Sequence, residues 1–339
     1  MTNTLRTRGL FAAAAAVVAL ALAGCSSSAA GDSGSGAPAE LEKVRFGYIA
    51  DFNGASLLAI ADDQGLWEKH GIDVETPVFT NGPLQIQALG TDDLDFGYIG
   101  PGAMWLPASG QAKVAAINSL GNADRVIAQA GITSIEELKG KKVAVPEGTS
   151  GDMILTMALR EAGMTIDDVE KVAMDPATVV SAFASKQVDA AGIWYPLIDT
   201  IQEQVPDLEI LAENEDFIDE VAFPSAFVAS PSFVDEQPEA TAKVLAVLRE
   251  AMDYRVENLD ETIELTSAML KIEADALAVE AENAKYMTAA EVDALTDDGT
   301  VVTWLGALNE YFVTAGKVTD PLDPAEYYLG EQFVAAGEE

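Results

Sequence analysis

Side chains suited to covalent chemistry are scarce in this chain. Its 339 residues contain one histidine, His70, and one cysteine, Cys25. His70 lies in Glu68-Lys69-His70-Gly71, a turn expected after a surface helix. No nucleophile–base–acid arrangement, metal-ligand spacing or Walker-type phosphate loop accompanies it. The expectation is therefore a protein that is not an enzyme and uses no cofactor or metal. What the chain does offer is carboxylates and aromatic rings near the ends of expected strands: Asp51, Glu147, Asp152 and Asp175, with Phe52, Trp105, Trp194, Tyr195 and Phe223. Carboxylates beside aromatic faces suit an ammonium, amidinium or guanidinium group, because both the charge and the ring quadrupole stabilise a cation. Each residue also has a plainer use. Asp152 can complement a helix dipole, Asp175 before Pro176 can end a turn or cap a helix, and the rings can pack in a core.

Cys25 has a different chemistry. Arg6 and Arg8 precede an Ala/Val/Leu run from Phe11 to Ala23, and Leu22-Ala23-Gly24-Cys25 follows. The run is short for a bilayer span, which needs roughly 20 apolar residues, and reads as the apolar region of a secretion signal. Its end resembles the lipobox of bacterial lipoproteins, which implies acylation of the Cys25 thiol and a mature chain that begins there. A lone cysteine cannot form an intramolecular disulfide, so lipidation is its expected use. The organisation expected is a lipoprotein signal peptide over residues 1–24 and a flexible Ser/Ala/Gly tether over 25–42.

Loss of the signal leaves 17 basic against 56 acidic side chains, a formal charge of −39. Such a chain does not suit nucleic acid, whose phosphates need Lys and Arg, nor adsorption to anionic lipid. Membrane attachment is expected through the anchor, at the outer face of the cell membrane. The remaining length, roughly 300 residues, favours two lobes over one core. Alternating strand and helix patterns recur along it. The strand Val44–Ile49 precedes a helix over Leu57–Gln64 capped by Ser56, and strands at 72–79, 94–99 and 114–117 alternate with helices at 83–89 and 103–109. A second block has strands at 142–145, 169–174 and 188–193 and helices at 134–139, 152–162 and 178–185. Alternation of this kind implies an α/β fold with largely parallel sheet, and the pattern from Pro238 onward is mainly helical.

Four phrases carry a resemblance over nearly the whole mature chain. They are Ala59-Ile60-Ala61-Asp62-Asp63-Gln64-Gly65-Leu66-Trp67-Glu68-Lys69-His70-Gly71-Ile72-Asp73-Val74, Leu89-Gly90-Thr91-Asp92-Asp93-Leu94-Asp95-Phe96-Gly97-Tyr98-Ile99-Gly100, Leu138 to Pro146, and Ala182 to Trp194. In this order and spacing they resemble the nitrate/taurine/aliphatic-sulfonate binding proteins of ABC importers. The resemblance implies a two-lobed type II periplasmic-binding-protein fold, with lobe 1 formed by 43–122 and 225–339 and lobe 2 by 123–224. Crossovers are implied near Ile117–Ala130 and Phe223–Ala229. The implied partners are a small-molecule ligand and the permease and ATPase subunits of the importer, with the protein acting as a monomer.

The resemblance also implies which loops meet the ligand: Asp51, Phe52 and Asn53; Asn81 and Gly82; Gly100 and Pro101; Thr149, Ser150 and Asp152; Asp175; Trp194 and Tyr195; and Phe223. None of these loops carries Lys or Arg. A small nitrogenous cation is therefore the preferred solute. An anion such as taurine, an alkanesulfonate or nitrate is the alternative, held by backbone N–H groups at helix N-termini. A thiamine-pyrimidine-type binding protein or enzyme of the same fold is a further alternative, and a surface sensor would use the same cleft.

Overall fold

The computed structural model describes residues 41–338. The signal peptide, Cys25 and the tether up to residue 40 lie outside the described residues. The expected tether runs too far at its end, because Glu42 already pairs with Ile72 in the parallel strands Glu42–Arg45 and Ile72–Glu75. No described helix is long and apolar enough to cross a membrane.

Two sheets organise the chain. The first has the strand order Ala284–Tyr286, Lys113–Gly121, Pro224–Ala229, Phe96–Ile99, all antiparallel. The second has the order Glu209–Glu213, Asp124–Ala128, Ala190–Trp194, Lys142–Val145, Glu170–Ala173. Its first two pairings are antiparallel and its last two parallel. The central strands Asp124–Ala128, Ala190–Trp194 and Pro224–Ala229 are buried at every position, as expected of apolar runs covered on both faces. The chain leaves the first sheet through Asn122 and Ala123 and returns through Val221–Phe223. At this junction the Gly121 amide donates to the Phe223 carbonyl (2.9 Å) and the Asn122 amide to the Asn283 carbonyl (2.7 Å).

The first long helix differs from the sequence expectation in an instructive way. It spans Phe52–Asp63 and is capped by Asp51, whose carboxylate accepts from the Gly54 amide at 2.7 Å, so neither a start at Leu57 nor a Ser56 cap holds. Asn53 and Gly54 look like breakers, but in a first turn their amides need only acceptors, and side chains provide these. Phe52 through Ala61 are all buried, which makes this a core helix rather than an amphipathic one. The helices Gly82–Gly90, Pro176–Ala184 and Pro238–Glu257 each carry Pro at the first or second position, where its missing N–H costs nothing. The expected helix at 134–139 is only a single 3-10 turn, Ile135–Leu138.

One close approach between the two sheets' elements depends on a missing side chain. A Cβ on Gly102 would lie 2.2 Å from the Thr149 carbonyl carbon and oxygen, so the 3-10 turn Pro101–Ala103 can rest on the backbone before the helix Ser150–Glu161 only because residue 102 has no side chain.

Candidate functional site

A cavity opens where the ends of both sheets converge. It is bordered by the starts of three helices, Phe52–Asp63, Gly82–Gly90 and Ser150–Glu161, and by the junction Gly121–Asp124. Its volume, about 50 Å³, corresponds to about four water positions, the space of a small solute. The structure brings to it Asp51, Asn53, Asn81, Gly82, Gly100, Pro101, Thr149, Ser150, Trp194 and Tyr195 of the residues expected from sequence.

Four expected residues are elsewhere. The Phe52 ring packs against Leu277, Ala281 and, at 5.6 Å, Tyr286, while only its backbone amide serves the site. Phe223 is buried, and its carbonyl secures the junction described above. Asp175 is exposed and opens the helix Pro176–Ala184, its carbonyl accepting from Thr178 and Val179. Asp152 is buried but fully engaged: Lys317 Nζ lies 2.8 Å from Oδ2, Lys171 Nζ 3.2 Å from Oδ1, and the Gly148 amide donates to Oδ2 at 3.0 Å. Burial pushes the Asp152 carboxyl up, but Lys317, Gly148 and Lys171 together hold it below its ordinary value. Both lysines come from outside the loops considered in sequence, so the absence of basic residues in those loops misjudges Asp152. Glu147 is exposed and pairs with Lys171 at 3.0 Å, and Trp105 packs at the edge of the core.

Residues not foreseen complete the cavity. Glu280, Asp124, Tyr98, Ser119 and Ser225 line it, with Ile49, Ala103, Gly121 and Ala123, and Pro83 joins them beside the expected Asn81 and Gly82. Glu280 belongs to the helix Ala274–Glu282 and is 1% exposed. Its Oε2 accepts from the Phe52 amide (2.7 Å), and its Oε1 from the Asn53 amide (3.1 Å) and Asn53 Nδ2 (2.8 Å). Asp124 opens the strand Asp124–Ala128 and exchanges bonds with Asn214 (2.7 and 3.1 Å). Behind this wall, Arg255 donates to Asn118 Oδ1 and carbonyl (both 2.8 Å) and to Ser56 Oγ (3.1 Å), and stacks 4.3 Å from the Tyr286 ring. Asn118 Nδ2 in turn donates to the Asn53 carbonyl (3.1 Å), and Ser119 Oγ to Asn53 Oδ1 (3.1 Å). These bonds fix the Asn53 amide group that faces Glu280.

The electrostatics of the cavity are lopsided. Asp51, Asp124 and Glu280 are 5%, 4% and 1% exposed, and no Lys or Arg side chain lines the space they face. Burial, reinforced by the neighbouring Glu280, pushes the Asp51 carboxyl well above its ordinary value. Burial alone outweighs three hydrogen bonds at Glu280 and lifts its carboxyl to about 7. Asp124 is raised by burial too, against bonds from Ser150 and Asn214 and the nearby Arg125. Arg125 is spent elsewhere, 3.1 Å from Glu213 and 5.7 Å from the Tyr195 ring centre. Arg255 itself is lowered to about 10 by burial.

A signal for Asp124 exists in the sequence: it belongs to a polar group, Asn118, Ser119, Asn122, Asp124 and Arg125, set between the apolar runs 114–117 and 126–128 at the junction. Glu280 has none, since its helix carries Asp275 and Glu282 in the same acidic pattern.

Comparison with known proteins supplies the relatives of this architecture. The family model described as NMT1/THI5 like matches residues 54–262. A putative binding protein of Brucella abortus (strain 2308) is 58% identical over 292 residues, covering 86% of this chain and 92% of the relative. A putative aliphatic sulfonates-binding protein of Bacillus subtilis (strain 168) is 29% identical over 240 residues, covering 67% of this chain and 70% of the relative. Among solved structures, the periplasmic aliphatic sulphonate binding protein of Escherichia coli superposes with a TM-score of 0.66 at 21% identity, over 86% of this chain and 99% of the other. The desulfurization enzyme DSZB superposes at 0.63 with 15% identity, over 88% and 99%, so the fold also accommodates an enzyme. The architecture is the α/β type II periplasmic-binding-protein fold.

Proposed function

Because the chain belongs to the NMT1/THI5-like family, we propose that it is the solute-binding component of an ABC-type importer and that its two lobes close on a small nitrogenous cation. The observation that carries the ligand class is the cavity wall: three buried carboxylates and no basic side chain. Desolvated carboxylates facing one another are unfavourable until a positive charge joins them, so a cation gains there what an anion loses. Trp194 and Tyr195 add ring faces to the same space. Within this reading the mature protein begins at an acylated Cys25 and delivers its solute to a permease driven by an ATPase. Cys25→Ser is expected to release the protein from membranes, and unchanged retention would contradict the anchor.

The test is calorimetric titration with guanidinium, short alkylamines, taurine, ethanesulfonate and nitrate. Binding of the nitrogen cations without binding of nitrate or ethanesulfonate is the expected result. Nitrate or ethanesulfonate binding with no response to cations would overturn it.

A second reading, an anionic or zwitterionic solute, is favoured by the name of the Bacillus relative and by the helices Gly82–Gly90 and Ser150–Glu161, whose N-termini border the cavity. Taurine would satisfy both features, with its ammonium on the carboxylates and its sulfonate at those N-termini.

A further inference from the structure

The first turn of the helix Phe52–Asp63 points two backbone N–H groups and the Asn53 amide at one spot beside the cavity. Such a spot receives the anionic group of a ligand in many proteins. Here it is already taken. Glu280, reaching across from the helix Ala274–Glu282, accepts from Phe52 N, Asn53 N and Asn53 Nδ2 at 2.7–3.1 Å. Asp51 caps the same turn through Gly54, so two carboxylates of the chain itself crowd one helix start.

We propose that Glu280 is a specificity-determining residue: it occupies the helix's anion position from within the protein, turning an anion-receiving helix end into part of a cation-receiving wall. The inference rests on the cation reading and deepens it, because it names the residue that makes the choice.

The charges around Glu280 agree. From the helix start it faces Asp51, across the cavity Asp124, and beside it Tyr98 and Tyr286, with Arg255 stacked on the Tyr286 ring. Arg255 is the only cation in that set, and its hydrogen bonds go to Asn118 and Ser56 rather than to a carboxylate. Asp152 and Glu147, with Lys171 and Lys317, form their own neutral cluster outside the cavity. Three carboxylates with no ion pair therefore leave the wall short of positive charge, which a cationic solute supplies. Oxygens already held by backbone N–H groups keep fixed positions, which suits a solute presenting several N–H donors.

Guanidinium and urea test this directly, since they share shape and size and differ in charge. Affinities for both are measured on the wild type, Glu280→Gln and Glu280→Asp, with thermal midpoints confirming folding. The wild type is expected to prefer guanidinium, Glu280→Gln to lose at least about tenfold of that preference, and Glu280→Asp to recover part of it. An unchanged guanidinium-to-urea ratio in folded Glu280→Gln would overturn the role of Glu280 while leaving the cation reading intact. A wild type that ignores guanidinium, methylammonium and putrescine at about 10 mM, tenfold above a millimolar Kd, would overturn both.

Discussion

Two groups of buried carboxylate lie on either side of the loop Pro146–Ser150, and they differ in what meets their charge. Asp152 is enclosed by Lys171, Lys317 and the Gly148 amide, and its carboxyl is held below its ordinary value. Asp51, Glu280 and Asp124 have hydrogen-bond donors but no ion pair among the described residues, and all three are raised although Arg125 lies near Asp124. The first group completes a structure that needs nothing more. The second is unfinished, and unfinished charge in a cavity is what a ligand can complete. Burial alone does not separate the two groups, since Asp152 at 2% exposure is as buried as Glu280 at 1%.

The largest effect expected from breaking this comparison lies on the neutral side. Replacing both lysines, Lys171→Met with Lys317→Met, leaves Asp152 buried without a counter-charge and is expected to cost about 3–5 kcal/mol of stability. Denaturant unfolding measures this. Retention of wild-type stability would mean that water replaces the lysines and that the cluster is not closed.

On the unfinished side the penalty falls on binding instead. Asp51→Asn removes a carboxylate that faces the ligand, and is expected to weaken binding of the preferred cation by about 2–5 kcal/mol. The stability of the ligand-free protein should hold or rise, because a repulsion with Glu280 disappears. Calorimetry and thermal unfolding on one preparation report both numbers. Asp152→Asn should show the opposite pairing, lower stability with nearly unchanged affinity.

The two groups also predict opposite slopes of stability against pH. Glu280 rises from 4.5 to about 7 on folding, so between those values the folded state binds more protons than the unfolded state. Stability without ligand must then fall as pH rises through that window, by about 3 kcal/mol from this group. Asp152, lowered on folding, contributes stability that is present above its unfolded value and is lost as pH falls below it. Glu280→Gln should flatten the upper slope and Asp152→Asn the lower one, read from thermal midpoints between about pH 3 and pH 8.

How much of this is legible in sequence follows from how far each interaction reaches. Alternation of strands and helices is local, and it gives the α/β class and most elements. Ten cavity residues sit at the ends of those elements, where position along the chain already says which way they face. Glu280 is 229 positions from Asp51, in a helix whose acidic pattern resembles a solvated face. Lys317 is 165 positions from Asp152. Neither pairing leaves a local trace, so the sequence places an uncompensated charge at Asp152 and misses the one at Glu280. The cap at Asp51 is obscured for a different reason: Asn53-Gly54 has the composition of a turn, and only acceptors supplied by Asp51 and the distant Glu280 make it a first helical turn.

The smallest effect is expected at two acids that sequence placed beside the ligand and the structure places in solvent. Asp175 stands before Pro176 with its carbonyl, not its carboxylate, engaged in the helix start, and Glu147 is exposed and paired only with Lys171. Exposed groups of this kind are screened by water and salt. Asp175→Asn and Glu147→Gln should each change cation affinity by no more than about 0.5 kcal/mol. Their value lies in the contrast with Asp51→Asn, because all three substitutions remove one formal negative charge from the chain. If affinity merely follows net charge, the three variants will weaken binding alike, and increasingly so at low ionic strength. If it follows contact in a dry cavity, Asp51→Asn will stand apart and the other two will match the wild type at every salt concentration. Equal losses in all three would replace a ligand held by particular carboxylates with one drawn by the general field of an acidic surface.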